Sequence, residues 1–353
     1  MANYDLSKLA LQMAFPTNDI LYDDVGDPSV MVKIPKFKVS DVIAGGSDST
    51  HPAFIVNGVE KPFIWISKYQ NIVNNGRAYS LPAQDPATYT TFDQAWQYCK
   101  QKGPGWHLMT NAEFAALALW CKMNGFMPNG NNNYGKDISE SALPPKALPT
   151  LLDSQANNYR TLRTATGSGP VTWYHDNTPA GIADLNGNVW EWNNGLRLVS
   201  GEIQILANND AADWNNPVNS VSTLWKAIMP NGTLVAPGTS GTLKWDYLTS
   251  KIMLTANAVT DTANASRSTN FELLGKDASV ATVPEILKSL AIYPAETGYS
   301  SDNVWANMTD ERLPQRGGPF VDGASAGVFA LYFNSARSVS SIYGGFRAAF
   351  CNL

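Results

Sequence analysis

Apolar and polar side chains alternate most clearly near the C-terminus. From Val328 to Asn334 a period of two puts Phe329, Leu331 and Phe333 on one face, read as core, and Val328, Ala330, Tyr332 and Asn334 on the other. Phe63 to Tyr69 alternates well enough to predict a buried strand, and Val30 to Val39, with Pro35 inside, predicts an edge strand. Two helices announce themselves by their first turns. Thr91 with Gln94 forms a capping box before a stripe of Phe92, Ala95, Trp96 and Cys99. Thr110 with Glu113 repeats the device before Phe114, Leu117, Ala118 and Cys121, with a stop near Gly125. A shorter helix is predicted after Thr282, with Pro284 in its first turn and Val283, Ile286, Leu287 and Leu290 on one stripe. In Gly181 to Trp192, GIADLNGNVWEW, Asn186-Gly187 predicts a tight turn. The strand after it carries Trp190 and Trp192 on one face, Val189 and Glu191 on the other.

Elsewhere glycine dominates. Gly317, Gly318, Gly323, Gly327, Gly344 and Gly345 punctuate Leu313 to Arg347, which reads as turns and short strands. The flanks of its one clear strand, Pro319 to Asp322 before and Val339 to Tyr343 after, follow no packing rule and are read as a binding surface. From 202 to 304, Pro-Asn-Gly, Pro-Gly and Ser-Gly turns separate short apolar runs, which predicts hairpins.

Composition narrows the classes. The chain has 353 residues, enough for a sizeable core, yet only 16% are charged against a usual value of about 25%, with Asn, Ser, Thr and Gly filling the gap. A net charge of −5 without a basic cluster argues against nucleic-acid binding and against an electrostatically attracted membrane helix. Three cysteines, Cys99, Cys121 and Cys351, are too few and too scattered for a disulfide framework or zinc spacing, and His51, His107 and His175 form no triad. Leu9 to Phe15 is too short for a leader and has no cleavage site, so no signal peptide is expected, and no run reaches membrane-spanning length. Asn186 and Glu191 place oxygen ligands close together, where calcium could bind with backbone oxygens of the turn. The alternative is that Asn186 caps the turn and Glu191 pairs with an arginine.

Several segments together resemble the formylglycine-generating enzyme (sulfatase-modifying factor) family: FIWISKYQN, the helix after Thr91, GWHLMTNAEF, GIADLNGNVWEW, the RGG at Arg316 and the terminal GFRAAF. The resemblance implies an α+β fold, a variant of the C-type lectin fold with short mixed strands, two main helices and much irregular structure. It divides the chain into an N-terminal arm or assembly segment (1–57, for which an ordinary hairpin is the alternative), a lectin-like domain (58–200 and 305–353) and an insertion (201–304). The family's copper-binding cysteine pair would fall at Phe329 and Asn334. Neither supplies a thiolate, so no such catalysis is expected and no cofactor is required. The family's calcium turn carries to Asn186, Gly187, Val189 and Glu191, implying at most a structural calcium ion.

A second resemblance rests on RGG, GASAGVFALYFNSARS and the terminal GFRAAF, which are similar to the variable proteins of diversity-generating retroelements. In that group, template adenines, concentrated in asparagine codons, are randomised to vary a surface of a lectin scaffold. Phage tail-tip receptor-binding proteins are its best-known members. The resemblance implies varied, ligand-binding positions at Pro319, Phe320, Val321, Asp322, Ser325, Tyr332, Asn334, Ser335, Val339, Ser341, Ile342, Tyr343 and Gly344. Randomised Asn codons cannot yield Lys, Glu, Gln, Met or Trp, and none of these occurs from Gly317 to Leu353. The expectation is a non-enzymatic protein that binds a protein or cell-surface ligand, present on a phage virion or in the bacterial cytoplasm before assembly, with oligomerisation open. A sulfatase-modifying-type oxidoreductase with a relocated site and a non-variable adhesion module are the alternatives. Replacing Phe320, Tyr332 and Tyr343 together with Ala is expected to abolish binding and leave the fold intact.

Overall fold

The computed structural model describes residues 3–141, 146–153 and 160–353. Both expected capping boxes form. Thr91 Oγ1 accepts from the Gln94 backbone N–H at the start of the helix Phe92–Lys100, and Thr110 Oγ1 accepts from that of Glu113 at the start of Asn111–Met123. The second helix is buried on most of its circumference. Ala112, Ala115, Ala116 and Leu119 join the expected stripe in the core, because sheet and loops enclose the helix. The short helix after Thr282 runs Glu285–Ser289 and buries Leu287.

A five-stranded antiparallel sheet orders Asn18–Tyr22, Pro28–Pro35, Phe63–Ser67, Ala348–Phe350 and Trp106–Leu108. Its order corrects one expectation. The strand read as an edge is interior, because Asn18–Tyr22 covers its outer side, and its two prolines sit at its ends, where no interior ladder bond is lost. The 1–57 segment thereby contributes two strands to the sheet. The helix Asn3–Ala14 lies outside the sheets and leaves Leu6, Leu9 and Met13 exposed.

A six-stranded mixed sheet orders Arg267–Asn270, Asn303–Ala306, Gly327–Phe333, Gln315–Gly317, Trp190–Trp192 and Gly344–Phe346. Of its two outermost strands on one side, Arg267–Asn270 lies within 201–304 and Asn303–Ala306 crosses its end. That segment is also tied to its flanks in a third sheet, where Leu196–Val199 pairs with both Glu202–Ile205 and Glu311–Arg312. Gly327–Phe333 sits inside the sheet with neighbours on both edges. Phe329, Leu331 and Phe333 are core, as the alternation predicts. On the other face Val328 and Ala330 are also buried, and Tyr332 is half-exposed.

Candidate functional site

Cross-strand register builds the site. Tyr332 stands opposite Trp305 on one side and Gln315 on the other, and Gln315 stands opposite Trp192. Directly opposed residues share a face, so one face of the sheet carries Trp305, Tyr332, Gln315 and the two indoles of Trp190–Trp192. The reverse face carries Val304, Leu331, Arg316 and Glu191. Trp192 is roofed by Phe92 and donates to the Thr90 carbonyl at 2.8 Å. Trp190, 5% exposed, is covered instead by its groove neighbours. It meets Trp305 at 5.7 Å and 90° and Tyr332 at 5.3 Å and 36°, forming the floor of a groove of about 440 Å³.

Two loops wall this groove. The first contributes Pro319, Val321 and Asp322, and the second contributes Val339, Ser341 and Tyr343, with Ser335 and Gln315 between them. Both loops are held by their backbones. Phe320 N–H donates to Asn188 O, Gly323 N–H to Asn132 O, and Tyr89 N–H to Ser341 O, while Trp190 N–H donates to Tyr343 O. At the root of the first loop Gly318 has φ +86°, and a Cβ there would stand 2.4 Å from the Ala326 Cβ, so only glycine makes the turn. At the root of the second, Arg337 spans Glu311 and Asp93. Among the described residues, no hydrogen-bond partner meets the hydroxyls of Tyr332 and Tyr343 or the carboxylate of Asp322. Burial pushes the Asp322 carboxyl up to about 6.

The groove thus gathers Pro319, Val321, Asp322, Tyr332, Ser335, Val339, Ser341 and Tyr343. The other sequence-derived positions lie elsewhere. Phe320 is 2% exposed, packed between Tyr343 and Tyr134 beneath the first loop, so it is an anchor and not an exposed contact. This corrects the expectation that its removal would spare the fold. Gly344 is buried in the strand paired with Trp190, where a Cβ would meet Gln315 Nε2 at 3.0 Å. Asn334 lies outside the groove and donates to Ser266 Oγ at 2.6 Å. Ser325 ends a 3-10 turn, and Ile342 is half-buried beside the groove. Trp190 and Trp305 had no signal as site residues, because the strand pairing that brings them together is not written locally.

At the two positions where the family's cysteine pair would fall, Phe329 packs in the core against Phe271 and Tyr299, and Asn334 makes the contact just described. Burial raises the thiols of Cys99, Cys121 and Cys351, the last to about 12.

The turn read as a calcium site forms a different knot. Glu191 accepts from Arg347 Nε at 2.9 Å and from its terminal nitrogen at 2.8 Å, and both residues are buried. Gln70 Nε2 lies 3.1 to 3.3 Å from four oxygens: the carbonyls of Asp184, Gly187 and Val189, and Glu191 Oε1. One amide nitrogen has two hydrogens for these four acceptors. The Asn186 side chain faces away, donating to Pro128 O at 2.9 Å. Among the described residues no group of three His, Cys, Asp or Glu side chains converges on a metal position, and no helix is long and apolar enough to cross a membrane.

The profile of the sulfatase-modifying factor enzyme 1-like domain matches residues 20–202, just over half of the chain. No curated protein sequence matches it. Among solved structures it is similar to PvdO from Pseudomonas aeruginosa, at 14% identity over 94% of this chain and 97% of that one, with a TM-score of 0.34. It is also similar to Treponema denticola variable protein 1, at 11% identity over 95% and 99% of the two chains, with a TM-score of 0.32. Similarity to the Major Tropism Determinant U1 variant covers 91% of this chain and 62% of that one, at 12% identity and a TM-score of 0.30. The extent of the profile match places the protein: it belongs to the sulfatase-modifying factor enzyme 1-like domain family, with an α+β variant of the C-type lectin fold.

Proposed function

We propose that this chain is a non-enzymatic receptor-binding protein, a component of a phage or prophage tail tip, whose C-terminal surface is diversified by a retroelement. One observation carries the reading. Eight of the positions that the retroelement pattern marks as varied line a single aromatic groove, and the residues between them hold the scaffold. Rigid aromatic side chains among Ser, Asp and Val give a large contact area at low entropic cost, as in antibody loops. The family's oxidative chemistry needs thiolates, and this chain offers none at the corresponding positions.

The test is the DNA beside the gene. A near-repeat of the segment coding for residues 313–347, differing at adenines and adjoining a reverse-transcriptase gene, is the expected result. Its absence from the genome overturns the retroelement reading and leaves an adhesion module.

Two smaller readings accompany this one. The assembly arm proposed for 1–57 narrows to the helix Asn3–Ala14, which lies outside the sheets and exposes Leu6, Leu9 and Met13, whereas 39–54 sends Val39, Val42, Ile43, Ala53 and Phe54 into the core. A structural cation is proposed at the knot around Gln70, held by the carbonyls of Asp184, Gly187 and Val189 and by Glu191, without Asn186. The four converging oxygens suit a hard cation if the Gln70 amide turns aside.

A further inference from the structure

We propose that the groove binds the ammonium group of a lysine side chain presented by a protein ligand, with Asp322 as counter-ion and Trp190, Trp305, Tyr332 and Tyr343 as walls. The inference rests on the reading of the groove as a ligand surface and names what that surface takes.

Four observations lead there. Among the described residues the groove is lined by four aromatic rings and one carboxylate, with no Lys, Arg or His. A cation within about 6 Å of a ring centroid is drawn to the ring face, most strongly where water is displaced. Elsewhere this protein covers such rings with its own cations: Lys102 sits over Tyr79 and Trp106, and Arg197 over Trp225. Among the described residues no cation covers Trp190, Trp305, Tyr332 or Tyr343; Tyr343 is exposed and Trp305 and Tyr332 are half-buried, so a cation from outside can reach these three, with the buried Trp190 packed beneath them. Asp322 likewise lacks a partner among the described residues and is held partly out of water, which sharpens its demand for an opposite charge.

Ring geometry selects the kind of cation. Trp190, Trp305 and Tyr332 are inclined to one another by 90°, 36° and 55°, so a planar guanidinium cannot stack flat on all three, whereas a compact ammonium can approach each face. The single carboxylate at the rim excludes a phosphocholine headgroup. Its phosphate would meet Asp322 with no basic residue to offset the repulsion. Ser341 beside the groove instead supplies a hydroxyl suited to a peptide backbone.

The intact protein is titrated by calorimetry and ligand-observed NMR with N-acetyl-lysine methylamide, its norleucine and arginine counterparts, and phosphatidylcholine vesicles. Lysine is expected to bind about tenfold more tightly than norleucine or arginine, without vesicle binding. Asp322→Asn should weaken lysine about fivefold, leave norleucine unchanged and leave the melting temperature intact. Lysine binding should also weaken as the pH falls through about 6, where Asp322 takes up its proton; among the described residues Tyr332 and Tyr343 are the only other titratable side chains lining the groove. Equal affinity for lysine and norleucine, a preference for arginine, or vesicle binding without lysine binding overturns the proposal. If no probe binds but the adenine-variant repeat is present, the lysine inference fails and the receptor-binding reading stands.

Discussion

Phe320 and Tyr343 touch, with ring centroids 5.4 Å apart, and do opposite work. Phe320 is buried and supports the loop from below, whereas Tyr343 is 41% exposed and lines the groove. Phe320→Ala is expected to cost about 3–5 kcal/mol, since it empties a closed site. Tyr343→Ala should change stability by about 0.5 kcal/mol. Urea unfolding of the two variants measures this, and equal losses would mean that Tyr343 belongs to the scaffold. A second residue, Asp302, lies buried beside the Gly327–Phe333 strand and accepts from the Phe329 N–H at 2.8 Å. Burial raises its carboxyl to about 8, with Asp137 adding to the effect. The folded state therefore holds this proton more tightly than the unfolded chain does, so the parent loses stability from this group as pH rises from about 4 to about 8. Asp302→Asn keeps the acceptor and removes the titration. Its stability relative to the parent should improve across that window, and a pH-independent difference in denaturation midpoints would refute the assignment.

At the level of elements, the Trp190–Trp192 strand joins groove to core. Trp190 floors the groove on one face, and Glu191 is locked to Arg347 on the other, so the last strands of the chain are fastened beneath the binding surface. Arg347→Met should cost about 3–5 kcal/mol, because Glu191 would be left charged and buried, and adding Glu191→Leu should recover much of that loss. Calorimetric melting of both variants reads the difference; no recovery in the double variant would mean that the Arg347 bonds to the Ser67 and Ala183 carbonyls dominate. The same strand borders the proposed cation knot. Calcium at a hundredfold excess over its Kd should stabilise the protein by about 2.7 kcal/mol, reversed by a chelator. A melting curve indifferent to both would leave Gln70 as the permanent occupant.

The whole molecule separates a woven body from one peripheral helix. Both termini of the lectin-like body meet in the five-stranded sheet, and the strand Asn303–Ala306, which supplies Trp305 to the groove, pairs on its other edge with Arg267–Asn270 of the 201–304 segment. The helix Asn3–Ala14 is different: it packs on Asn18–Tyr22 while exposing Leu6, Leu9 and Met13. Deleting residues 1–14 should leave the groove's ligand binding unchanged and alter assembly, as read by sedimentation. Lost binding in a folded truncation would show that the helix belongs to the body.

Much of this protein was legible along the chain, wherever a short period or a local hydrogen bond carries the information. Thr91 with Gln94 and Thr110 with Glu113 mark their helices because a capping box needs only four consecutive residues. Phe329, Leu331 and Phe333 mark a core face because a strand alternates regardless of its neighbours. What needed the tertiary structure was which side chains became neighbours and which were left uncovered. Phe320 and Val321 are adjacent and both apolar, yet one is an anchor and the other a groove wall, because Tyr134 and Asn188 arrive from distant segments to hold one side of the loop. Trp190 and Trp305 are 115 positions apart in the chain. They form one floor only because Tyr332 pairs opposite Trp305 while the next strands bring Trp190 beside it, a matter of register between strands that no local pattern encodes.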